Sequence, residues 1–177
     1  MSIVLPVLRP VPLKTKGKNV WRRTKAWFLD ARVWEVMEDY VYQPDGWPAI
    51  MIPAGFLTDF ASVPRAFWGI GMEPTGILLV PSLIHDFGYR HDFYLAPWEL
   101  GGTLGEGIIM AGNGKGFHDQ MMRRISAEVN GMKTPGWLAA VALGAFGWPA
   151  WWAACRRREE YRIRTGEVID LRGEYAD

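Results

Sequence analysis

Short apolar runs separated by turn residues dominate the first third of the chain. The runs at 26–29, 33–42 and 49–52 are rich in β-branched and aromatic side chains, the composition typical of strands. The intervening Gln43-Pro44-Asp45-Gly46 has the chemistry of a tight turn. We therefore predict a small antiparallel sheet in a β-rich part, residues 21–68.

Beyond a loop-rich stretch from Ala54 to Gly76, apolar positions follow the period of a helix. Three segments show this period within a predicted helical part, residues 77–161: Pro81 to Phe93, Phe117 to Asn130, and Trp137 to Tyr161. The expected fold class is α+β, a small N-terminal antiparallel sheet followed by a helical half with about three helices.

The two ends of the chain differ from its centre. Residues 1–20 contain several prolines and basic side chains, which predicts an extended arm that either pairs with a neighbouring subunit or lies on the surface. Residues 162–177 form a polar tail. A chain of 177 residues fits a single domain, 1–177. The prolines also make the N-terminus unlike a signal peptide, so we expect the protein in the host cytoplasm or in a particle.

Charge and cysteine content narrow the classes of partner and site. The 20 Lys and Arg against 19 Asp and Glu leave a net charge of +1, so no positive field is available to hold nucleic acid, and we expect no nucleic-acid partner. The single cysteine, Cys155, can form neither an internal disulfide nor a cysteine metal cluster.

One uncharged, apolar segment runs from Gly136 to Cys155 and is followed by Arg156-Arg157-Arg158. Gly144, Gly147 and Pro149 interrupt it, so we predict a buried or surface-docked helix and no integral membrane insertion. Its tryptophans beside arginines also suit an interfacial helix.

Aspartate directly follows all three histidines, in His85-Asp86, His91-Asp92 and His118-Asp119. With Pro81 at the first helical position, His85, Tyr89 and Asp92 share one helix face. A histidine that acts as a general base needs a second group to orient its ring.

Asp119, on a separate predicted helix, is the candidate to orient His85, and Asp86 is the candidate to hold a divalent cation. Each residue has a structural alternative. Asp119 is also suited to cap a helix, with His118 as an exposed helix start, and His91 with Asp92 suits a solvated helix end.

Asp59 follows a predicted corner of the chain. Gly55 permits a tight turn, and Thr58 and Asp59 can cap backbone N–H groups. One interpretation is a purely structural corner. The other brings Asp59 beside His85 and Asp86 as a metal or substrate ligand.

The segment His85-Asp86-Phe87-Gly88-Tyr89-Arg90 resembles the His-Asp-x-x-Tyr helix of phospholipases A2, especially the bacterial secreted forms. The resemblance implies that His85 activates water, Asp86 binds calcium, Tyr89 gives hydrogen-bond support and Asp119 is the partner of the histidine. The disulfides common in that family cannot form here, and only 68–71 stands where a glycine-rich calcium loop is expected.

A broader resemblance covers about Val41 to Trp152. The motif from Ile52 to Trp68 (IPAGFLTDFASVPRAFW), then the His85 helix, then Asp119, is similar to a family of small bacteriophage and prophage proteins of unassigned function. It implies a phage origin, with roles in the virion, its tail or baseplate, or lysis.

Three functions remain open on the sequence. The first is a phage hydrolase with catalytic His85, Asp119 and Tyr89 and a divalent cation, calcium or zinc, at Asp86 and Asp59, acting on an ester or similar bond of the cell envelope. The second is a non-catalytic virion structural or adaptor protein that contacts other virion proteins or itself. The third is a metal-dependent phosphohydrolase of the His-Asp type, although no histidine precedes His85.

Overall fold

The computed structural model describes residues 4–12, 33–60, 76–97, 107–131 and 133–165. Its strands are β1 Leu8–Pro10, β2 Trp34–Val36, β3 Tyr40–Tyr42, β4 Ile50–Ile52, β5 Leu57–Thr58, β6 Tyr94–Leu95 and β7 Ile108–Ile109. Its helices are α1 Leu79–His91, α2 Gly114–Asn130, α3 Lys133–Phe146 and α4 Trp148–Thr165.

The strands form two small antiparallel sheets, of order β1-β2-β5 and β3-β4-β6-β7. The predicted turn joins β3 to β4, where Trp47 N–H donates to the Pro44 carbonyl at 3.2 Å. Strand β1, inside the predicted arm, pairs with β2 of the same chain, so that Leu8 lies opposite Val36. The α+β class is confirmed: β1 to β5 precede the described helices, and β6 and β7 lie between α1 and α2.

The sheet is more divided than the sequence predicts. The single run 33–42 splits into β2 and β3, which lie in different sheets. Strand β5 lies in the stretch expected to be loop, and β6 and β7 come from the helical half. These three strands have two residues each, too few to produce an alternating pattern. The predicted strand at 26–29 lies outside the described residues.

The helical half contains four described helices where about three were expected. The predicted helix from Trp137 to Tyr161 is interrupted at Gly147, and α3 and α4 meet there at 69°. A Cβ on Gly147 would lie 2.5 Å from the Leu143 carbonyl oxygen and 2.8 Å from the Tyr89 hydroxyl, so only glycine fits this junction. Pro149 follows in the first turn of α4, where its missing N–H costs nothing.

Helix α1 is the centre of the fold. All its residues from Val80 to Tyr89 are buried, because it packs against α2, α4, β5 and β6. Its apolar side chains join those of the sheets and α2 in one core that includes Ile52, Phe56, Phe87 and Ile125. Polar side chains on α1 are therefore inside the protein and need partners.

No single described helix is long and apolar enough to cross a membrane. Two segments together have the length and apolar composition of a membrane span, although the chain bends by 69° between them. They are Lys133–Ala145 of α3 and Trp148–Glu159 of α4.

Candidate functional site

Helices α1 and α2 bring the predicted pair together. His85 Nε2 lies 3.1 Å from Asp119 Oδ1, within hydrogen-bond distance. The His85 side chain is 2% exposed. Its other nitrogen, Nδ1, has no hydrogen-bond partner among the described residues and lies 3.8 Å from Asp86 Oδ1. The ring is therefore held by a hydrogen bond at one nitrogen, and the second nitrogen is buried beside the Asp86 carboxylate.

Two further side chains hold the Asp119 carboxylate. The Tyr89 hydroxyl donates to Oδ1 at 2.8 Å, which fits its position one helical turn after His85. Lys115 Nζ donates to Oδ2 at 2.6 Å and also to the Leu143 carbonyl at 2.7 Å. Lys115 was not predicted. Its spacing of four residues from Asp119 on α2 was the available signal.

The predicted alternative of Asp119 as a helix cap is wrong. Helix α2 begins at Gly114, with Asn113 in the cap position, so Asp119 lies in the second turn. The extra N-terminal turn comes from Gly114 to Gly116, where two glycines and a lysine give no apolar periodicity.

The surroundings shift the pKa values of this pair in opposite directions. Burial raises the pKa of Asp119, but hydrogen bonds from His85, Lys115 and Tyr89 outweigh it and hold that pKa below its usual value. Burial lowers the pKa of His85, but the bond to Asp119 and the nearby Asp86 carboxylate outweigh it and raise that pKa above the ordinary 6.5. Each member of the pair thus favours the charged form of the other.

Asp86 lies on the other side of the His85 ring. The Thr58 hydroxyl donates to its Oδ2 at 2.5 Å and accepts the Phe60 N–H at 3.1 Å, so Thr58 makes the backbone bond expected of it. Burial raises the pKa of Asp86. The interactions with His85, Arg90 and Thr58 lower that pKa by more, so its net shift is downward. Asp86 is therefore a buried anion beside the imidazole.

A cavity of about 180 Å³ lies against these residues. Asp59 joins His85 and Asp86 in lining it, and Arg90 Nη2 lies 3.4 Å from Asp59 Oδ1. The remaining wall comes from Tyr89, Arg90, Leu143, Ala150, Ala154 and Arg157. Taking roughly 30 Å³ for each water, the cavity has room for a few waters or a small substrate group.

The metal prediction concerns Asp86 and Asp59, and both carboxylates border this cavity. Within the described ranges, no group of three or more His, Cys, Asp or Glu side chains is arranged to hold a metal ion. The number of protein ligands here would thus be smaller than the number of ligands that calcium or zinc takes.

A second His-Asp pair joins His118, which is fully buried, to Asp92, whose side chain is 24% exposed. His118 Nε2 is 3.1 Å from Asp92 Oδ1, and His118 Nδ1 is 3.0 Å from the Tyr94 hydroxyl. Asp92 Oδ1 also accepts the Gly114 N–H at 3.0 Å, at the start of α2. All polar atoms of the His118 ring are thus satisfied within the protein.

Three expectations about His91, Asp92 and His118 are wrong. His118 is not an exposed helix start, since it is fully buried and lies in the second turn of α2. His91 is buried rather than solvated, because Phe56, Phe87 and Phe93 surround it. Asp92 does not share the face of His85 and Tyr89, because α1 ends at His91 and Asp92 takes a left-handed conformation with φ 59°.

Burial keeps these two histidines neutral. It lowers the pKa of His118 to about 4 against the raising effect of Asp92, and lowers the pKa of His91 to about 3, with Arg90 and Arg158 adding to the shift. The protein therefore holds one histidine that favours the charged form and two that favour the neutral form.

Residues 34–140, more than half of the chain, match the sequence profile of a family described as "Protein of unknown function (DUF1353)". The matched range includes Asp59, His85, Asp86, Tyr89 and Asp119 and stops before α4. No curated protein and no solved structure matches the chain. The chain belongs to the DUF1353 family.

Proposed function

We propose that this protein is a hydrolase in which His85 acts as general base and Asp119 orients its ring. The observation that carries the proposal is the 3.1 Å contact of His85 Nε2 with Asp119, with His85 Nδ1 left without a hydrogen-bond partner among the described residues. His118, by comparison, has a hydrogen-bond partner at both ring nitrogens.

The reaction that fits is hydrolysis of an ester or similar bond. Neutral His85 accepts a proton from water at Nδ1, the hydroxide attacks the carbonyl carbon, and the proton passes to the leaving alkoxide as the C–O bond breaks. Asp119 stabilises the imidazolium formed in the first step. Tyr89 and Lys115 are positioning residues, because each bonds the Asp119 carboxylate.

Cationic side chains at the cavity supply charge for the transition state. Arg90 and Arg157 line the cavity that His85 borders, and a guanidinium stabilises the negative charge that develops on a carbonyl oxygen under attack.

A divalent cation is a second element of the proposal. The carboxylates of Asp59 and Asp86 border the cavity, and oxygen is the ligand type that calcium prefers. Water or substrate oxygens would complete the coordination. Calcium should raise the melting temperature of the wild-type protein and not that of Asp59→Asn. An equal rise in both would remove Asp59 from the proposed site.

Kinetics on p-nitrophenyl esters of increasing chain length test the base. Because a general base must be neutral and the pKa of His85 is raised, the rate should rise with pH through a pKa above the ordinary 6.5. His85→Gln should lower kcat by about 10²–10⁴-fold. Asp119→Asn should lower kcat and also move the pH profile to lower pH, because it removes the carboxylate that raises the pKa of His85.

Asp92→Asn is the matched control, since it changes the carboxylate of the other His-Asp pair. It should leave the pH profile of kcat unchanged. Hydrolysis that persists in His85→Gln, or a profile that moves equally in both aspartate variants, would contradict the proposed base. Absence of hydrolysis on every ester would contradict the proposed ester class.

The proposed setting is a bacteriophage virion or lysis step, on the strength of the sequence resemblance. Mass spectrometry of purified particles tests it: stoichiometric incorporation supports a virion location, and absence supports action in the host cytoplasm.

The second candidate function is a non-catalytic assembly protein, and the deep burial of His85 favours it. In that case, His85→Gln phage would assemble and lyse normally or fail at particle formation. A catalytic role predicts intact particles with defective lysis or infection.

A further inference from the structure

Helices α3 and α4 expose an unusual amount of apolar surface. Five large apolar side chains of these helices, here named the tryptophan face, are 42–59% exposed: Trp137, Leu138, Val141, Trp148 and Trp152. Small residues occupy the exposed positions between them, including Ala142 and Ala145. A soluble helix normally places polar side chains on its solvent side, so this face is suited to contact something apolar.

The opposite side of the same helices is committed to the fold. Gly136 and Ala139 of α3 pack on α2, where a Cβ on Gly136 would lie 2.6 Å from Ser126 Cβ. Trp151 of α4 is buried against Tyr89 of α1. The helices are thus anchored on one side, and rotation cannot bury the tryptophan face.

Charged residues flank this apolar segment in the sequence, and the buried Lys115 ammonium lies 5.2 Å from the centre of the Trp148 ring. No charged residue occurs between Lys133 and Arg156, and both of these side chains are exposed, as is Arg157. Tryptophan prefers the boundary between lipid headgroups and acyl chains, and arginines beside it attract anionic headgroups.

We propose that the tryptophan face docks on the surface of an anionic membrane, with the indoles at the headgroup boundary and Arg156 on the headgroups. A specific protein interface carries about one hydrogen bond per 100–200 Å². From Trp137 to Trp152 the exposed side chains of this face offer only indole N–H donors, which favours lipid over protein as the occupant. The docking is independent of whether His85 is a base.

Vesicle flotation with the full chain tests the docking. We expect binding to vesicles of equal parts phosphatidylcholine and phosphatidylglycerol, weaker binding to phosphatidylcholine alone, and loss of the difference in high salt. Val141→Asp should reduce binding at least about tenfold. Val41→Asp, on strand β3, is the matched control, because Val41 is 48% exposed and Val141 is 50% exposed.

Arg156→Gln provides a second variant that leaves the apolar surface intact, and it should reduce binding to the anionic vesicles about fivefold. Three results would overturn the proposal. They are no binding to anionic vesicles, equal loss in the two valine variants, and a dimer in light scattering that Val141→Asp dissociates while vesicles remain unbound. The last result would assign the face to a contact between copies of the chain.

Discussion

Replacing Gly88 by alanine probes the closest approach between α1 and the second His-Asp pair. A Cβ at this position would lie 2.3 Å from His118 Nδ1 and 2.5 Å from the Tyr94 hydroxyl oxygen. These two atoms are 3.0 Å apart and hydrogen-bonded to each other, and both side chains are fully buried. The methyl group therefore has no space unless this bond opens.

The cost follows from three contributions. Overpacking a buried site costs about 1–3 kcal/mol. Leaving a buried polar group without its partner costs about 1–3 kcal/mol more. Alanine returns about 1 kcal/mol through its greater helix propensity. We expect Gly88→Ala to lower the free energy of unfolding by about 3 kcal/mol.

Gly116→Ala is the matched control, since Gly116 also lies in a helix, α2, and a Cβ there would meet nothing within 4 Å. It should be neutral or stabilising by at most about 1 kcal/mol. Urea unfolding of both variants, followed by circular dichroism, measures the difference through the midpoint at unchanged slope. If Gly88→Ala were as stable as Gly116→Ala, the close packing of α1 against His118 would be refuted.

Two further predictions concern acid stability and helix packing. Because burial lowers the pKa of His118 to about 4, the unfolded chain binds a proton between the ordinary 6.5 and that value while the folded chain does not. The contribution of His118 to stability should therefore fall by up to about 3 kcal/mol as pH falls through this window, and His91 adds to the fall in the same direction. Urea unfolding should show a smaller fall in His118→Gln, and an equal fall in that variant would assign the effect to another group. Gly136→Ala should lower the melting temperature, because its Cβ would lie 2.6 Å from Ser126 Cβ and 3.0 Å from the Arg123 carbonyl oxygen. Gly144→Ala, which meets nothing within 4 Å, should not, and equal melting temperatures would contradict the close contact of α2 and α3.

The fold class and the main helices could be predicted because they depend on local periodicity. The spacing of His85 and Tyr89 on one face of α1 was also local, and both side chains contact Asp119. The pairing of the strands could not be predicted in this way, because it joins segments that are distant in the sequence. Strands β6 and β7 pair with each other, and β6 pairs with β4 from a distant part of the sequence. Two-residue strands carry no pattern that reveals such pairing.

The errors in the site have a common cause. Asp92 was placed on the face of His85 because the helix was predicted to continue to Phe93. Helix α1 ends at His91, and the Asp92 side chain contacts His118 instead. Burial of His91 and His118 depends on how α1, α2 and the sheets pack, which single-sequence patterns do not contain. Lys115 was missed although its spacing of four residues from Asp119 is local, and only its bond to Leu143 on α3 depends on packing.

Lys115 also ties two distant parts of the molecule to one ammonium group. Its Nζ bonds both the Asp119 carboxylate and the carbonyl of Leu143, close to the break at Gly147. The end of α3 and the hydrogen-bond partner of His85 thus share one ammonium group. The same outer helices supply four of the residues that line the cavity beside His85.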